Sequence, residues 1–144
     1  METLYYLFRD LQDGSVCMDF FRTREEAEQA ELSPDYEDSA RFNSGSPRSI
    51  HVGNSSGIDF THEYRNQATD GLTAVYYLVN NDASGVEFYR DEEAWGNAFL
   101  KSDYTQSIVV NRADQVFYVQ DATGIDFVEN APQPSVVKPR RNGF

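Results

Sequence analysis

The chain contains one stretch twice, and this repetition limits what it can fold into more than any other feature. Tyr5-Tyr6-Leu7, Gly14, Phe20-Phe21-Arg22 and Glu25-Glu26-Ala27 return as Tyr76-Tyr77-Leu78, Gly85, Phe88-Tyr89-Arg90 and Glu92-Glu93-Ala94. Asp35-Tyr36 returns as Asp103-Tyr104, and Gly57-Ile58-Asp59-Phe60 as Gly124-Ile125-Asp126-Phe127. The offset is 71 residues at Tyr5/Tyr76, 68 at Phe20/Phe88, 67 at Glu25/Glu92, 68 at Asp35/Asp103 and 67 from Gly57/Gly124 onward. Small steps of this kind are short insertions and deletions, which turns tolerate. Four matches in the same order imply a tandem duplication of a unit of about 60 residues. The rival is convergence of two unrelated hairpin–helix units on common local chemistry. Two copies of so long a unit read as a duplicated domain rather than a stacking array. A unit of that size buries little surface by itself, so the copies are expected to share one core or pack face to face.

Within each copy the pattern predicts a hairpin, a helix and two or three further strands. Residues 4–9 and 16–22 read as strands around a turn at Gly14. Apolar side chains on both faces of 4–9 suit a central strand. Thr23 with Glu26 three residues on is a capping box, predicting a helix that runs to Leu32 and stops before Pro34. Its apolar face is thin: Ala27, Ala30 and Leu32. Residues 33–38 read as a polar loop, and 39–43, 48–53 and 57–63 as short strands. The second copy repeats the order, with strands at 73–79 and 86–90 and a helix from Asp91 to Leu100. Further strands are expected at 106–111, 115–120 and 125–128. The predicted class is α+β: a duplicated β-β-α-β-β(-β) unit, antiparallel sheets, one short helix per copy, and halves related by a pseudo-two-fold axis. Residues 1–66 form copy one, 67–72 a linker and 73–130 copy two, together one compact domain. Residues 131–144 read as an extended or flexible tail.

Charge is the strongest global signal. The formal net charge is −12, and the body before Lys138 carries 24 acids against 9 bases. Such a body repels nucleic acid and anionic membranes and attracts basic protein surfaces. Low lysine with excess acid also suits adaptation to salt. No run of apolar residues is long enough to cross a membrane as a helix. The first ten residues lack the pattern of a secretion signal, and the single Cys17 excludes an intramolecular disulfide; together they predict a cytoplasmic protein.

Catalytic and cofactor motifs are lacking. Two histidines and one cysteine do not make a structural zinc site, so no metal or other cofactor is expected. Cys17 reads as a small strand residue, and there is no nucleophile elbow or phosphate-binding glycine loop. The repeated Asp59 and Asp126 read as exposed strand residues following a turn glycine. Enzymatic use of either with His51 is the weakest reading. The recurring Arg22 and Arg90 are expected to pair with nearby carboxylates.

The remaining feature is an acidic run: Glu25, Glu26, Glu28, Glu31, Asp35, Glu37 and Asp38, with no base among residues 25–38. Like charges one turn apart destabilise a helix, although acids in the first turn are favoured by the helix dipole. The copies diverge here, since copy two offers only Asp91, Glu92 and Glu93 before the apolar Trp95 and Phe99. In size, charge and lack of catalytic residues the chain is similar to small phage-encoded inhibitors, including anti-CRISPR and anti-restriction proteins. That compositional resemblance implies a non-enzymatic inhibitor that mimics nucleic acid and blocks a basic nucleic-acid-binding surface. The acids of 25–38 and 91–93 would carry the contact, with Trp95 or Tyr104 as an exposed aromatic anchor. The alternative is a pseudo-symmetric binder of a small ligand or peptide in the groove between copies, lined by Arg22, Tyr36, Arg90 and Tyr104.

Overall fold

The computed structural model describes residues 1–39, 42–43, 47–61, 68–79, 85–100 and 110–128. Tyr104, residues 106–109 of the strand predicted at 106–111, residues 62–63 of that predicted at 57–63, residue 67 of the linker and residues 129–144 lie outside these residues. In chain order the elements are β1 (Glu2–Asp10), β2 (Val16–Phe21), α1 (Arg24–Glu31), a 3-10 helix (Pro34–Ser39), β3 (Arg48–Val52), β4 (Thr73–Val79), β5 (Val86–Tyr89), α2 (Glu92–Phe99) and β6 (Val116–Val119). The class is α+β, with two three-stranded antiparallel sheets ordered β2-β1-β3 and β5-β4-β6.

Alternation along the two central strands sets the layers. Leu4, Tyr6 and Phe8 on β1 and Val75, Tyr77 and Val79 on β4 belong to one buried cluster, so the two sheets face each other across a common core. The opposite faces carry the helices. Leu7 and Phe21 pack with Ala27 of α1 and with Tyr36, and Leu78 and Tyr89 pack with Trp95 and Ala98 of α2. The order of layers is helix, sheet, sheet, helix. The core is rich in aromatic contacts: Phe117 of β6 meets Phe20 of β2 edge-on at 4.9 Å and Phe88 of β5 at 6.0 Å. Polar bonds also join the halves. The Gln115 amide donates to Val16 O (2.8 Å), the Met18 N–H donates to the Tyr77 hydroxyl (3.2 Å), and Gly53 N donates to Asp121 O (3.0 Å).

The repeated residues recur in the same roles. Gly57 and Gly124 have φ of 102° and 106°, the left-handed region that glycine enters without steric penalty. Each is followed by a buried isoleucine, an exposed aspartate and a buried phenylalanine. Phe60 and Phe127 each make one parallel bridge, to Phe20 and Phe88. Among the described residues, 57–61 and 125–128 make these single bridges in place of the predicted strands. Arg22 and Arg90 each lie over those same rings, 4.0 Å from the centroids of Phe60 and Phe127. These arginines therefore make cation–π contacts, and the charge of Arg22 also acts on the carboxylate of Glu2.

Other predictions are corrected. Residues 34–39 are a 3-10 helix and not a loop, held by the buried Tyr36 and Ser39. The expected strand at 39–43 is replaced by the end of that helix and a turn at Phe42-Asn43, the rest lying outside the described residues. Leu32 belongs to no apolar face: it is the C-cap of α1 and is 81% exposed. The repeated Glu-Glu-Ala letters are one place out of structural register. From N-cap Thr23 and Asp91 to C-cap Leu32 and Leu100 the offset is 68, so Ala27 corresponds to Trp95 rather than Ala94.

Candidate functional site

α1 owes its position to its cap and to a single buried residue. The Thr23 hydroxyl accepts from Glu26 N (3.1 Å), and the Glu26 carboxylate accepts from Thr23 N (3.2 Å), which completes the capping box. Ala27 is the one residue of α1 that is buried. The remaining face is acidic. Glu25, Glu26 and Glu28 are exposed and Glu31 is half-buried; on the 3-10 helix Asp35, Glu37 and Asp38 are exposed around the buried Tyr36. Glu28 pairs with Arg24 one turn earlier at 3.3 Å, with both side chains more than half exposed. Such a pair contributes under about 1 kcal/mol and neutralises little of the field. In the second half Asp91 caps α2 through the Ala94 N–H, and Glu92 and Glu93 are exposed beside it. Trp95 does not provide the exposed anchor that was expected: it is 5% exposed and its indole N–H donates to Tyr77 O (2.8 Å).

Beside α1 lies a cavity of about 690 Å³, with Ala30, Gln29 and Tyr36 in its wall and Glu25, Glu26 and Asp35 at its rim. Its polar end is a closed network. Asp19 Oδ2 accepts from Arg9 Nε (2.8 Å) and from the Tyr36 hydroxyl (2.7 Å), and Oδ1 receives the Cys17 thiol at 3.8 Å. The network raises the pKa of Arg9, chiefly through its bond to Asp19. Burial, followed by the bond to Asp19, raises that of Tyr36. Burial, with the Asp19 charge beside it, pushes the Cys17 thiol up to about 11. Cys17 is therefore a poor nucleophile. At pH 8 it is expected to react with a thiol reagent roughly 100-fold more slowly than an unperturbed cysteine, and to recover the ordinary rate in denaturant. A rate that matches the free amino acid in the folded protein would contradict the packing of β2 described here.

Of the residues named for a groove between copies, three are described. Arg22 and Arg90 each cover a ring of their own half, Tyr36 serves the Asp19 network of the first half, and Tyr104 lies outside the described residues. A cavity of about 370 Å³ does lie between the halves, but it is lined by Arg48 and His51 of the first and by Val86, Ile125 and Asp126 of the second. His51 Nδ1 is 3.0 Å from the Thr3 hydroxyl, and both His51 and Asp126 are exposed. Asp59 does not line this cavity. Among the described residues no group of three or more His, Cys, Asp or Glu is placed to hold a metal ion, and no helix is long and apolar enough to cross a membrane.

The Asp19 network had a partial signal in the sequence. In a hairpin turning at Gly14, Arg9 pairs with Cys17 and Leu7 with Asp19, which sets Arg9 and Asp19 diagonally on one face. Tyr36 had no such signal, because it arrives from a later element. In comparison with known proteins, the chain matches no family model, no curated protein and no solved structure.

Proposed function

We propose that this protein is a non-enzymatic, acidic protein-binding inhibitor that acts as a nucleic-acid mimic of the phage anti-CRISPR or anti-restriction type. It docks on the basic nucleic-acid-binding surface of another protein, in the cytoplasm. One observation carries this reading: six exposed acids, Glu25, Glu26, Glu28, Asp35, Glu37 and Asp38, occupy two consecutive helical elements, and the ion pair given for them among the described residues is that of Glu28 with Arg24. A dense, unneutralised line of carboxylates steers encounter with an oppositely charged channel. We further infer that the halves are tandem copies related by a pseudo-two-fold axis; the matched strand order, glycine turns and Arg–Phe contacts support this. On that view the first copy has specialised toward charge and the second toward packing.

The test is a titration against the partner captured from lysate, at low and high salt. Glu25→Lys, Glu28→Lys and Glu31→Lys together are expected to weaken binding by at least about 100-fold and to flatten its salt dependence. Glu26 is left in place because it closes the capping box. Glu92→Lys with Glu93→Lys is expected to cost less than about 10-fold, because fewer acids surround that pair. Unchanged affinity in the triple variant, with weak salt dependence, would overturn the charge-mimic reading.

A second reading, a small-ligand or peptide binder working between the halves, is favoured by the cavity of about 370 Å³ there. It predicts that Ile125→Trp, which fills that cavity, abolishes binding while the triple lysine variant does not.

A further inference from the structure

We propose that the cavity beside α1 receives an arginine side chain of a protein partner, selected by shape as well as by charge. Such an arginine belongs to the basic surface that the charge-mimic reading requires, so the site rests on that reading and names the group recognised. At about 690 Å³ the cavity lies within the range of about 300–1,000 Å³ usual for ligand sites. Its inner wall is already fixed. Tyr36 is buried, and its hydroxyl donates to Asp19 Oδ2 (2.7 Å), to which Arg9 Nε also donates (2.8 Å). The second half shows this layer when the chain fills it unaided. By the cap-to-cap offset of 68, Glu26, Ala27, Ala30 and Glu31 correspond to Ala94, Trp95, Ala98 and Phe99. All four residues of α2 belong to one apolar cluster, in which the rings of Trp95 and Phe99 stack at 5.3 Å. On α1 two of the four are carboxylates, and Ala30 stays half-buried on the cavity wall where Ala98 is buried. The cavity thus stays open on the half that carries the acids.

Charge and shape together select the guest. Arg9 and Asp19 balance each other within the cavity. Among the described residues the other charged groups of its lining are the carboxylates of Glu25, Glu26 and Asp35. Glu26 is held in place before any ligand arrives, because its carboxylate accepts from Thr23 N (3.2 Å). The fitting ligand is a cation on an apolar stem: the stem lies on Ala30 and Tyr36, and the cation meets the carboxylates. Arginine fits better than lysine. Its planar guanidinium offers five donors in a fixed fork and binds carboxylate in a bidentate manner, whereas the lysine ammonium is a compact, strongly hydrated point charge. Arginine is also a residue of choice on surfaces that hold nucleic-acid phosphate, so a phosphate mimic meets it there. Seated in a desolvated pocket, one arginine can dominate the energy of an interface.

The test needs no partner. The full chain, labelled with nitrogen-15, is titrated with N-acetyl-argininamide, N-acetyl-lysinamide and the neutral N-acetyl-citrullinamide in about 0.1 M salt, where screening acts within about 10 Å. Argininamide is expected to shift the amides of Gln29, Ala30, Ser33 and Tyr36 along one saturable curve in the millimolar range. Lysinamide should bind at least about 5-fold more weakly, and citrullinamide should not saturate. Ala30→Leu, which narrows the cavity and alters no charge, should weaken argininamide by at least about 10-fold. Glu25→Gln with Asp35→Asn, both at exposed positions, should do the same, and this pair decides the matter should Ala30→Leu perturb the fold. Equal shifts with arginine and lysine, spread over α1 and α2 without saturation and unmoved by Ala30→Leu, would overturn the site while leaving the charge-mimic reading standing, since that reading needs no cavity. Citrullinamide binding as tightly as argininamide would overturn it too. The two failures are separable, because the triple lysine variant reads affinity for the partner and this titration reads the cavity alone.

Discussion

Asn43→Ala is expected to lower the stability of the fold by about 3 kcal/mol, and Asn111→Ala by about the same amount. Both residues are 4% exposed and use the side-chain amide as a substitute strand. Asn43 Oδ1 accepts from Phe8 N (2.7 Å) while Nδ2 donates to Phe8 O (2.9 Å). Asn111 repeats the pair on Val79, at 2.8 and 3.0 Å. Among the described residues the β1–β3 register ends at Tyr6 and Arg48, and the β4–β6 register at Tyr76 and Val116. Each asparagine thus continues a ladder on the central strand after the neighbouring strand has ended. Alanine removes both partners and leaves a buried N–H and a buried C=O, each costing roughly 1–3 kcal/mol. For a protein whose total stability is of order 5–15 kcal/mol this is a large share, and Tm should fall by about 10 °C. Urea titration of each single variant is the measurement. A loss below about 1 kcal/mol at either position would show that water replaces the amide. A large loss at one and none at the other would break the equivalence of the two halves.

How much of this was legible in the sequence depends on how local the cause is. The hairpins, the helix starts and the Gly57 and Gly124 turns follow from residues within one turn or strand of each other, and they stand where predicted. The exposure of the acidic run was legible for the same reason, since the apolar residues that alternate with it on α1 are the small Ala27 and Ala30. The asparagine pair escaped notice although it obeys the offset of 68. Turn chemistry accounts for any asparagine near a loop, and its real partner lies 35 residues away on β1. The same holds for Arg22, whose partner ring lies on the loop that returns after β3. The helices were matched one residue out of register because Glu-Glu-Ala occurs in both. Matching letters hid matching roles, and the caps, which differ as Thr23 and Asp91, were the surer guide. The burial of Tyr36, and with it the 3-10 helix, depended on a cavity floor built by β1 and β2, which no local pattern reveals.

Trp95→Ala is expected to cost about 4 kcal/mol, the usual scale for removing a buried large aromatic. Its indole fills the layer between α2 and the sheet with Leu78, Tyr89 and Ala98, lies against Phe99 at 5.3 Å, and satisfies Tyr77 O through its N–H. Alanine leaves a cavity, an unpaired carbonyl and a phenyl ring without its neighbour. Trp95→Phe restores the volume but not the hydrogen bond, so it should recover roughly half of the loss. The first half provides the contrast. Ala27 fills the corresponding place on α1, and Ala27→Gly should cost only about 1 kcal/mol, the ordinary helix penalty. Trp95 is the only tryptophan, so its fluorescence reports this layer alone, and calorimetry supplies the free energy for the whole fold. The asymmetry also predicts dynamics. α1, with one buried alanine and an acidic outer face, should exchange its amides at a lower opening free energy than α2, which is anchored by an indole. Equal protection of the two helices, or a Trp95→Ala cost below about 1.5 kcal/mol, would show that the indole does not hold its helix to the sheet. The division of labour between a charged first half and a packed second half would then lose its structural basis.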